Sequence, residues 1–185
     1  MAEPAPASHV ALVQTRELSR ARLAELREMV QGAFGPRLDA DDWRHALGGV
    51  HVVVWLDRAP VAHAAVVPRI LEQGERRYRT GYVEAVAVAA EHRGQGHAAA
   101  VMAAVGRLIE GEYELGALSA RAGVAGLYRS RGWRPWQGQT FVREPDGAVV
   151  RTADDDDGVH VLPVPGSTID LTGDLVCDWR QGDVW

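Results

Sequence analysis

The sequence contains no lysine, because all 20 of its basic residues are arginines. This absence excludes a Schiff-base mechanism and a Walker-type phosphate loop, since both need a lysine side chain. There is a single cysteine, Cys177, which excludes an intrachain disulfide and any multi-cysteine metal site. Its position between Val176 and Asp178 predicts a small buried apolar side chain rather than a nucleophile.

Long apolar runs are also missing, and none approaches the roughly 20 residues of a membrane span. The chain has 185 residues, 46% hydrophobic and 24% charged, which fits a single domain with one core. Residues 1–8 are rich in alanine and proline and lack a basic flank, so we expect a flexible tail, no secretory signal and a cytoplasmic protein. The seven histidines show no paired ligand spacing, and no metal site is predicted.

The formal net charge is −5, and the acidic residues are unevenly distributed. Four of them form the block Asp154–Asp157, and others recur toward Asp183. A negatively charged protein binds nucleic acid poorly, because that affinity depends on neutralising phosphates. The block by itself is typical of a solvated acidic loop. If the carboxylates instead line a cleft, the ligand should be a cation.

The hydrophobic periodicity predicts one α+β domain over residues 9–185. The helix that begins after Ser19 ends at Gly35, and a second helix follows the glycine-containing segment near residue 95. Short connections predict that the strands between residues 50 and 89 are antiparallel neighbours. The predicted strands are His9–Thr15, Val50–Leu56, Val61–Val67, Tyr78–Ala89, Leu115–Ser119, Thr140–Arg143 and Val159–Leu162, and the later helices are Ala98–Ile109 and Ala122–Arg131.

The most informative junction is a strand, the turn Arg93–Ala98, and a helix. A helix start presents unpaired N–H groups and the positive end of its dipole, which together suit a pyrophosphate. Small residues at Gly94, Gly96 and Ala98 allow the backbone to approach phosphates closely. The alternative is a plain turn without a ligand. A Rossmann fold is excluded, because two hairpin-like strands precede the turn and the glycine spacing differs.

This turn resembles the Arg/Gln-x-x-Gly-x-Gly/Ala signature of the GNAT acyltransferases, matched by Arg93, Gly96 and Ala98. Downstream, Leu127–Trp133 resembles the aromatic turn of that superfamily. The resemblance implies a GNAT fold: a mixed, mostly antiparallel sheet of six to seven strands, splayed centrally, with about four helices. It also implies acetyl-CoA as co-substrate, with a backbone N–H near Val86 polarising the thioester carbonyl. The implied cofactor-binding residues are Val86, Ala87, Val88, Arg93, Gly94, Gln95, Gly96, His97 and Ala98.

Acetyl transfer needs a base for the amine proton and an acid for the departing thiolate. Glu84 lies inside the apolar run Tyr82–Val88, where an unpaired buried carboxylate is costly, so it is the candidate base, acting through water. The alternative is a strand carboxylate facing solvent. Tyr128 is the candidate acid, because phenol and thiol have neighbouring pKa values. Its alternative is ordinary core packing.

Several segments resemble one GNAT group, the aminoglycoside 2'-N-acetyltransferases: Leu115–Ser119, Ser130–Trp136, the aspartate block and the ending Cys177–Trp185. That resemblance implies a cationic substrate held by carboxylates and a possible homodimer. Arg37 stands where an acidic substrate contact is expected, so Asp39 replaces the contact or it is lost. The implied substrate contacts are Asp42, Glu84, Ala85, Ser119, one of Asp155 and Asp156, Asp183, and the C-terminal carboxylate of Trp185.

Two other functions stay open at this stage. The acceptor could be a polyamine, a cell-wall amino sugar or a protein amine instead of an aminoglycoside. The chain could also be a CoA-binding module without catalysis, although Glu84 and Tyr128 argue against it because a pure binder needs neither.

Overall fold

The computed structural model describes residues 8–120 and 123–185. The chain divides into two units: the first comprises the residues up to Val66 together with Glu84–Val105, and the second comprises Val67–Val83 together with Gly106–Trp185. The predicted tail, residues 1–8, lies outside the described residues except for Ser8, where the first strand begins.

The first unit begins with strand β1 and helix α1, and both boundaries of the helix follow from local chemistry. The Ser19 hydroxyl caps the helix by accepting from the Arg22 N–H at 3.2 Å, and the helix ends at Gly35, whose φ of 66° suits glycine. The elements that lie wholly or partly in this unit are β1 (Ser8–Gln14), α1 (Arg20–Phe34), α2 (Ala40–His45), β2 (Val50–Leu56), β3 (Ala59–Gln73), β4 (Arg76–Val88) and α3 (His97–Glu112).

The core of the first unit lies between α1 and the antiparallel strands β1, β2 and β3. Leu26 and Val30 of α1 are fully buried and belong to one cluster with Trp43 of α2 and Ala65 of β3. Burial of such side chains stabilises the fold by about 1.5–3 kcal/mol each. Strand β4 contributes Ala87 to the same cluster, so its C-terminal half is fixed in a packed environment.

Among its described residues, the second unit adds one helix and six short strands to the remaining parts of β3, β4 and α3. Strand β4 pairs in parallel with the next strand over three residues only, ending at Tyr82 opposite Ala117. The elements are β5 (Leu115–Ser119), α4 (Ala125–Arg129), β6 (Arg134–Pro135), β7 (Thr140–Arg143), β8 (Val149–Arg151), β9 (Val159–Pro163) and β10 (Leu175–Asp178).

The strands form one mixed sheet in the order β6-β9-β5-β4-β3-β10-β7-β8, with β2 pairing to β3 and β1 to β2. The predicted α+β class, the mostly antiparallel sheet and, over residues 8–120 and 123–185, the four helices are confirmed. In this described part of the chain the sheet has ten strands rather than six or seven, because β6, β8 and β10 are only two to four residues long and carry no periodic signal. Among the described residues no helix has both the length and the apolar character needed to cross a membrane.

Candidate functional site

The turn Arg93–Ala98 has the backbone that its glycines predict. Gly94 and Gly96 have φ values of 75° and 84°, a left-handed conformation that other residues adopt only with strain. A Cβ placed on either glycine meets no atom within 4 Å, so open space faces the turn. Helix α3 begins within this segment, at His97. The turn therefore fits a phosphate-bearing ligand at a helix start.

Side chains on both sides brace this turn from within the first unit. The Arg93 guanidinium donates to the Val88 carbonyl at 3.4 Å and to the Ala33 carbonyl at 3.2 Å. The Gln95 amide donates to the Glu91 carbonyl at 3.2 Å. Arg93 and Gln95 thus hold the shape of the turn by side-chain contacts.

The segment that precedes the turn, at the end of β4, contains one unusual residue. Ala85 has a φ of 50°, although it is not glycine. Glu84, Ala85 and Val86 are half-buried, whereas Ala87 is buried. A left-handed alanine costs about 1–2 kcal/mol, so the surroundings must hold it. The candidate base Glu84 and the predicted N–H donor at Val86 therefore flank a strained position.

Two buried histidines are linked to this strained residue, His63 directly and His51 through His63, and sequence reasoning missed both. His51 Nδ1 lies 2.9 Å from His63 Nε2, and His63 Nδ1 lies 2.9 Å from the Ala85 carbonyl oxygen. Desolvation by burial lowers the pKa of His51 to about 4 and that of His63 to about 3, so both rings are neutral at pH 7. The sequence feature that could have identified these histidines is a polar residue inside each of the two apolar strands Val50–Leu56 and Val61–Val67.

The start of α2 shows where the predicted substrate carboxylate Asp42 lies. The Asp39 side chain caps the helix by accepting from the N–H groups of Asp41 and Asp42, both at 2.8 Å. Asp42 returns the contact by accepting from the Asp39 N–H at 3.0 Å. Arg37 is exposed and donates to the Phe34 carbonyl. Asp39 is therefore engaged as a helix cap.

In the second unit the structure separates the two candidates of the aspartate block. Asp156 accepts from the Arg151 guanidinium and from the Thr140 backbone N–H and hydroxyl, each at 2.9 Å. The hydrogen bond from Arg151, followed by those from Thr140, lowers the Asp156 pKa. Burial, followed by the nearby charge of Asp183, raises the Asp155 pKa. Asp156 is a structural anchor, and Asp155 is close to a second predicted contact.

Ser119 lies beside the same block, at the exposed end of β5. Its hydroxyl oxygen would be 3.0 Å from a Cβ at Gly158, so the absence of a side chain at Gly158 leaves room for it. The Asp155 carbonyl borders the same space and accepts from the Gly158 N–H at 3.0 Å. Ser119 and the Asp155 backbone are therefore neighbours.

Trp185 is fixed next to these residues. Its side chain is buried, and its indole N–H donates to the Thr152 hydroxyl at 2.9 Å. One of its main-chain carboxylate oxygens accepts from the Arg180 guanidinium at 3.1 Å, and its backbone N–H donates to the Asp183 carboxylate at 3.3 Å. Because Thr152 also hydrogen-bonds Asp155, these contacts connect Asp155, Asp183 and Trp185. We call Ser119, Asp155, Asp183 and Trp185 the acidic group.

A buried arginine holds the segment that carries part of the acidic group. Arg69 is 5% exposed and donates to the Asp178 carboxylate at 2.9 Å and to the Val184 carbonyl at 2.7 Å. Its guanidinium carbon lies 4.8 Å from the centre of the Tyr82 ring, and that of Arg180 lies 5.3 Å from it. Residues 178–184 are therefore tied to β3 and β4.

Tyr128 is buried on α4, 6.3 Å from the rings of both Trp133 and His160. Burial raises its pKa, so the phenol keeps its proton at pH 7, as a proton donor must. Cys177 is buried, which confirms the prediction of a small buried side chain, and burial raises the pKa of its thiol to about 12. Within the described ranges, no three His, Cys, Asp or Glu side chains are placed to hold a metal ion.

Comparison with known proteins identifies the domain. A family model described as an acetyltransferase (GNAT) domain matches residues 14–136. The chain is 50% identical over 177 residues to the aminoglycoside 2'-N-acetyltransferase of Mycolicibacterium fortuitum, covering 94% of this chain and 90% of that protein.

Solved structures agree on the fold. The GNAT family N-acetyltransferase YhbS of Escherichia coli, solved in complex with CoA, superposes with a TM-score of 0.69 at 14% identity, covering 98% of this chain and 94% of the other. The ribosomal-protein-S18-alanine N-acetyltransferase of Escherichia coli gives a TM-score of 0.58 at 14% identity, covering 88% and 99%. At these identities the likeness concerns the fold alone.

Proposed function

This chain belongs to the GNAT acetyltransferase family and is an acetyl-CoA-dependent N-acetyltransferase, and from that premise we propose that its acceptor is the 2'-amino group of aminoglycosides. The observation that carries the proposal is the 50% identity, over nearly the whole chain, to a protein named for that activity. The acidic group supports it, because aminoglycosides are polycations and closely spaced carboxylates attract and orient cations.

The proposed reaction forms an amide bond between the 2'-amine and the acetyl carbonyl while the carbon–sulfur bond breaks. Glu84 receives the amine proton through water, and Tyr128 supplies a proton to the leaving thiolate. The Val86 N–H stabilises the negative charge that develops on the carbonyl oxygen. The backbone N–H groups of residues 94–98 bind the pyrophosphate of CoA at the start of α3.

Of the two candidates in the aspartate block, we propose that Asp155 rather than Asp156 binds the acceptor. Asp156 already accepts three hydrogen bonds at 2.9 Å, whereas Asp155 lies close enough to Asp183 for the two charges to interact. Two adjacent carboxylates are the arrangement that an ammonium group stabilises most, because it relieves their repulsion. Ser119 and the main chain of Trp185 would add hydrogen bonds, and Asp42, Glu84 and Ala85 would complete the acceptor contacts.

A thiol-release assay with acetyl-CoA tests the proposal. Aminoglycosides that carry a 2'-amine should release CoA, and those with a 2'-hydroxyl should not. Spermidine, a muramyl amino sugar and a lysine peptide serve as alternative acceptors in the same assay. Equal rates with both groups of aminoglycosides would refute the 2' position, and faster turnover of an alternative acceptor would replace aminoglycosides as the substrate class.

The role of Glu84 can be tested by Glu84→Gln. We expect turnover to fall at least about tenfold at neutral pH, because general base catalysis contributes two to four orders of magnitude and water replaces part of it. The dissociation constant of CoA, measured by calorimetry, should change little. Glu28→Gln, on the exposed face of α1, is the matched control. Unchanged turnover in Glu84→Gln would remove Glu84 as the base.

We further propose a cytoplasmic homodimer. Strand β8 ends the sheet and exposes Val149 and Val150, a pair of apolar side chains at an open edge. Light scattering coupled to size exclusion should give twice the chain mass, and Val150→Glu should shift it toward the monomer. A wild-type mass of one chain would refute the dimer.

A further inference from the structure

A buried chain of hydrogen bonds crosses the sheet of the first unit and ends at Ala85. The Thr15 hydroxyl lies 3.0 Å from His51 Nε2, and the remaining two bonds link His51 to His63 and His63 to the Ala85 carbonyl oxygen, each at 2.9 Å. Both rings have no solvent-exposed surface, and the Trp43 ring lies 6.4 Å from His51 and 6.2 Å from His63.

The positions of the protons follow from the last acceptor. A carbonyl oxygen can only accept, so His63 carries its hydrogen on Nδ1 and accepts on Nε2. His51 must then donate from Nδ1, which leaves its Nε2 as an acceptor for the Thr15 hydroxyl at 3.0 Å; the Gly49 carbonyl, at 3.1 Å, is the second acceptor within reach of that hydroxyl. Gly48 completes the chain, because its N–H donates to the Thr15 oxygen at 3.1 Å. Each ring therefore has one tautomer, and both ring N–H donors point toward Ala85.

This direction has a consequence for the next residue. The peptide between Ala85 and Val86 is trans and planar, so its N–H points away from its C=O. The bond from His63 fixes the Ala85 carbonyl, and it therefore also fixes the direction of the Val86 N–H. Ala85 has a φ of 50°, so the peptide would otherwise relax toward ordinary strand geometry.

We propose that His63, supported by His51 and Thr15, is a positioning residue for acetyl transfer. Its ring holds the Ala85–Val86 peptide so that the Val86 N–H is directed at the thioester carbonyl. The inference rests on the proposed role of the Val86 N–H as the donor to that carbonyl, and it holds for whichever amine is the acceptor. Two neutral imidazoles suit this task, because they orient a dipole without adding charge beside the reacting groups.

Two substitutions of His63 test the roles of its two ring nitrogens separately. His63→Asn places its amide N–H near the Nδ1 position and keeps the bond to Ala85. His63→Gln places its amide near the Nε2 position, which keeps a partner for His51 and loses Ala85. Both replace the ring with an amide, so they share the loss of packing. We expect turnover of His63→Gln to fall about 10- to 100-fold and that of His63→Asn to fall much less, since a lost oxyanion donor costs about 100- to 1000-fold.

The direct readout is the infrared carbonyl stretch of acetyl-CoA, labelled with ¹³C at the thioester carbonyl and bound without an acceptor. Wild type and His63→Asn should lower this frequency relative to free acetyl-CoA, and His63→Gln should lose the shift while CoA affinity stays within about twofold. A shift retained in His63→Gln would overturn the positioning role. No shift in wild type would overturn the Val86 donor, and neither result depends on aminoglycosides.

A measurement on the wild-type protein covers the case in which the variants do not fold. Nitrogen-15 NMR of the histidine rings should show His63 protonated at Nδ1, with that proton protected from exchange. A ring protonated at Nε2 would overturn the inference, since it could not donate to Ala85.

Discussion

Each of the two units contains two titratable residues of the same type side by side, and the two pairs differ in how far they are buried. His51 and His63 have no exposed surface and are neutral, whereas Asp155 is half-buried beside the exposed Asp183. Burial without a counter-charge removes the charge of the histidines and leaves two oriented hydrogen-bond donors. The aspartates are partly exposed, and burial together with the charge of Asp183 raises the pKa of Asp155. In the proposed mechanism, the residues around acetyl-CoA therefore rely on fixed dipoles, and the residues around the amine acceptor rely on charge.

The largest effect that distinguishes the two pairs should be a loss of folding stability at acidic pH. The folded-state pKa values of His51 and His63, about 4 and about 3, lie below the unfolded value of 6.5. The unfolded chain therefore binds protons first, and stability that is full above pH 6.5 is lost as pH falls toward 4. We expect the free energy of unfolding to fall by roughly 3 kcal/mol or more between pH 7 and pH 4.

Urea titrations of wild type and His63→Asn across this range measure that loss. The variant lacks one of the two groups, so its stability should fall less steeply between pH 6.5 and 4, and carboxylates common to both proteins cancel in the difference. Parallel curves would contradict the assignment of the loss to the histidines.

A smaller effect should separate the two neighbouring aspartates. Asp156→Asn weakens the bonds from Arg151 and Thr140, so we expect a loss of about 2 kcal/mol in unfolding free energy, typical of a hydrogen bond to a charged group. Differential scanning calorimetry checks it, with Asp157→Asn as the exposed control. An unchanged melting temperature in Asp156→Asn would mean that Asp156 is not an anchor.

The smallest effect concerns Asp155. Asp155→Asn should leave the melting temperature unchanged or slightly raised, because burial and Asp183 disfavour its charge in the folded protein. The KM for a polycationic acceptor should rise about three- to tenfold at low salt, and the difference should shrink at high salt as charges are screened. Steady-state kinetics at two ionic strengths measures both. A KM rise that is independent of salt would weaken the charge-based part of the comparison.

Features that depend on local chemistry could be predicted from the sequence. Ser19 caps α1, Gly94 and Gly96 take left-handed backbone, and β2 and β5 have their predicted bounds, because each depends on a few consecutive residues. The roles of Glu84, Tyr128 and the substrate contacts remain predictions.

Features that depend on distant partners could not be predicted. Strand β10 exists because Leu175–Asp178 pairs in parallel with β7. The difference between Asp155 and Asp156 depends on Arg151 and Thr140, and their contact with Asp156 exists only in the folded chain. The link from His63 to Ala85 joins separate strands, and the isolated histidine spacing in the sequence gives no sign of it.

The bonds of Arg69 have a consequence for the order of folding. They close loops of 109 residues to Asp178 and 115 residues to Val184, and closing such long loops is entropically slow. The segment from Asp178 to Trp185 should therefore dock late onto a sheet that is already formed. The part of the enzyme that would choose its substrate is then the last to fold, and it can vary with little risk to the assembly of the rest.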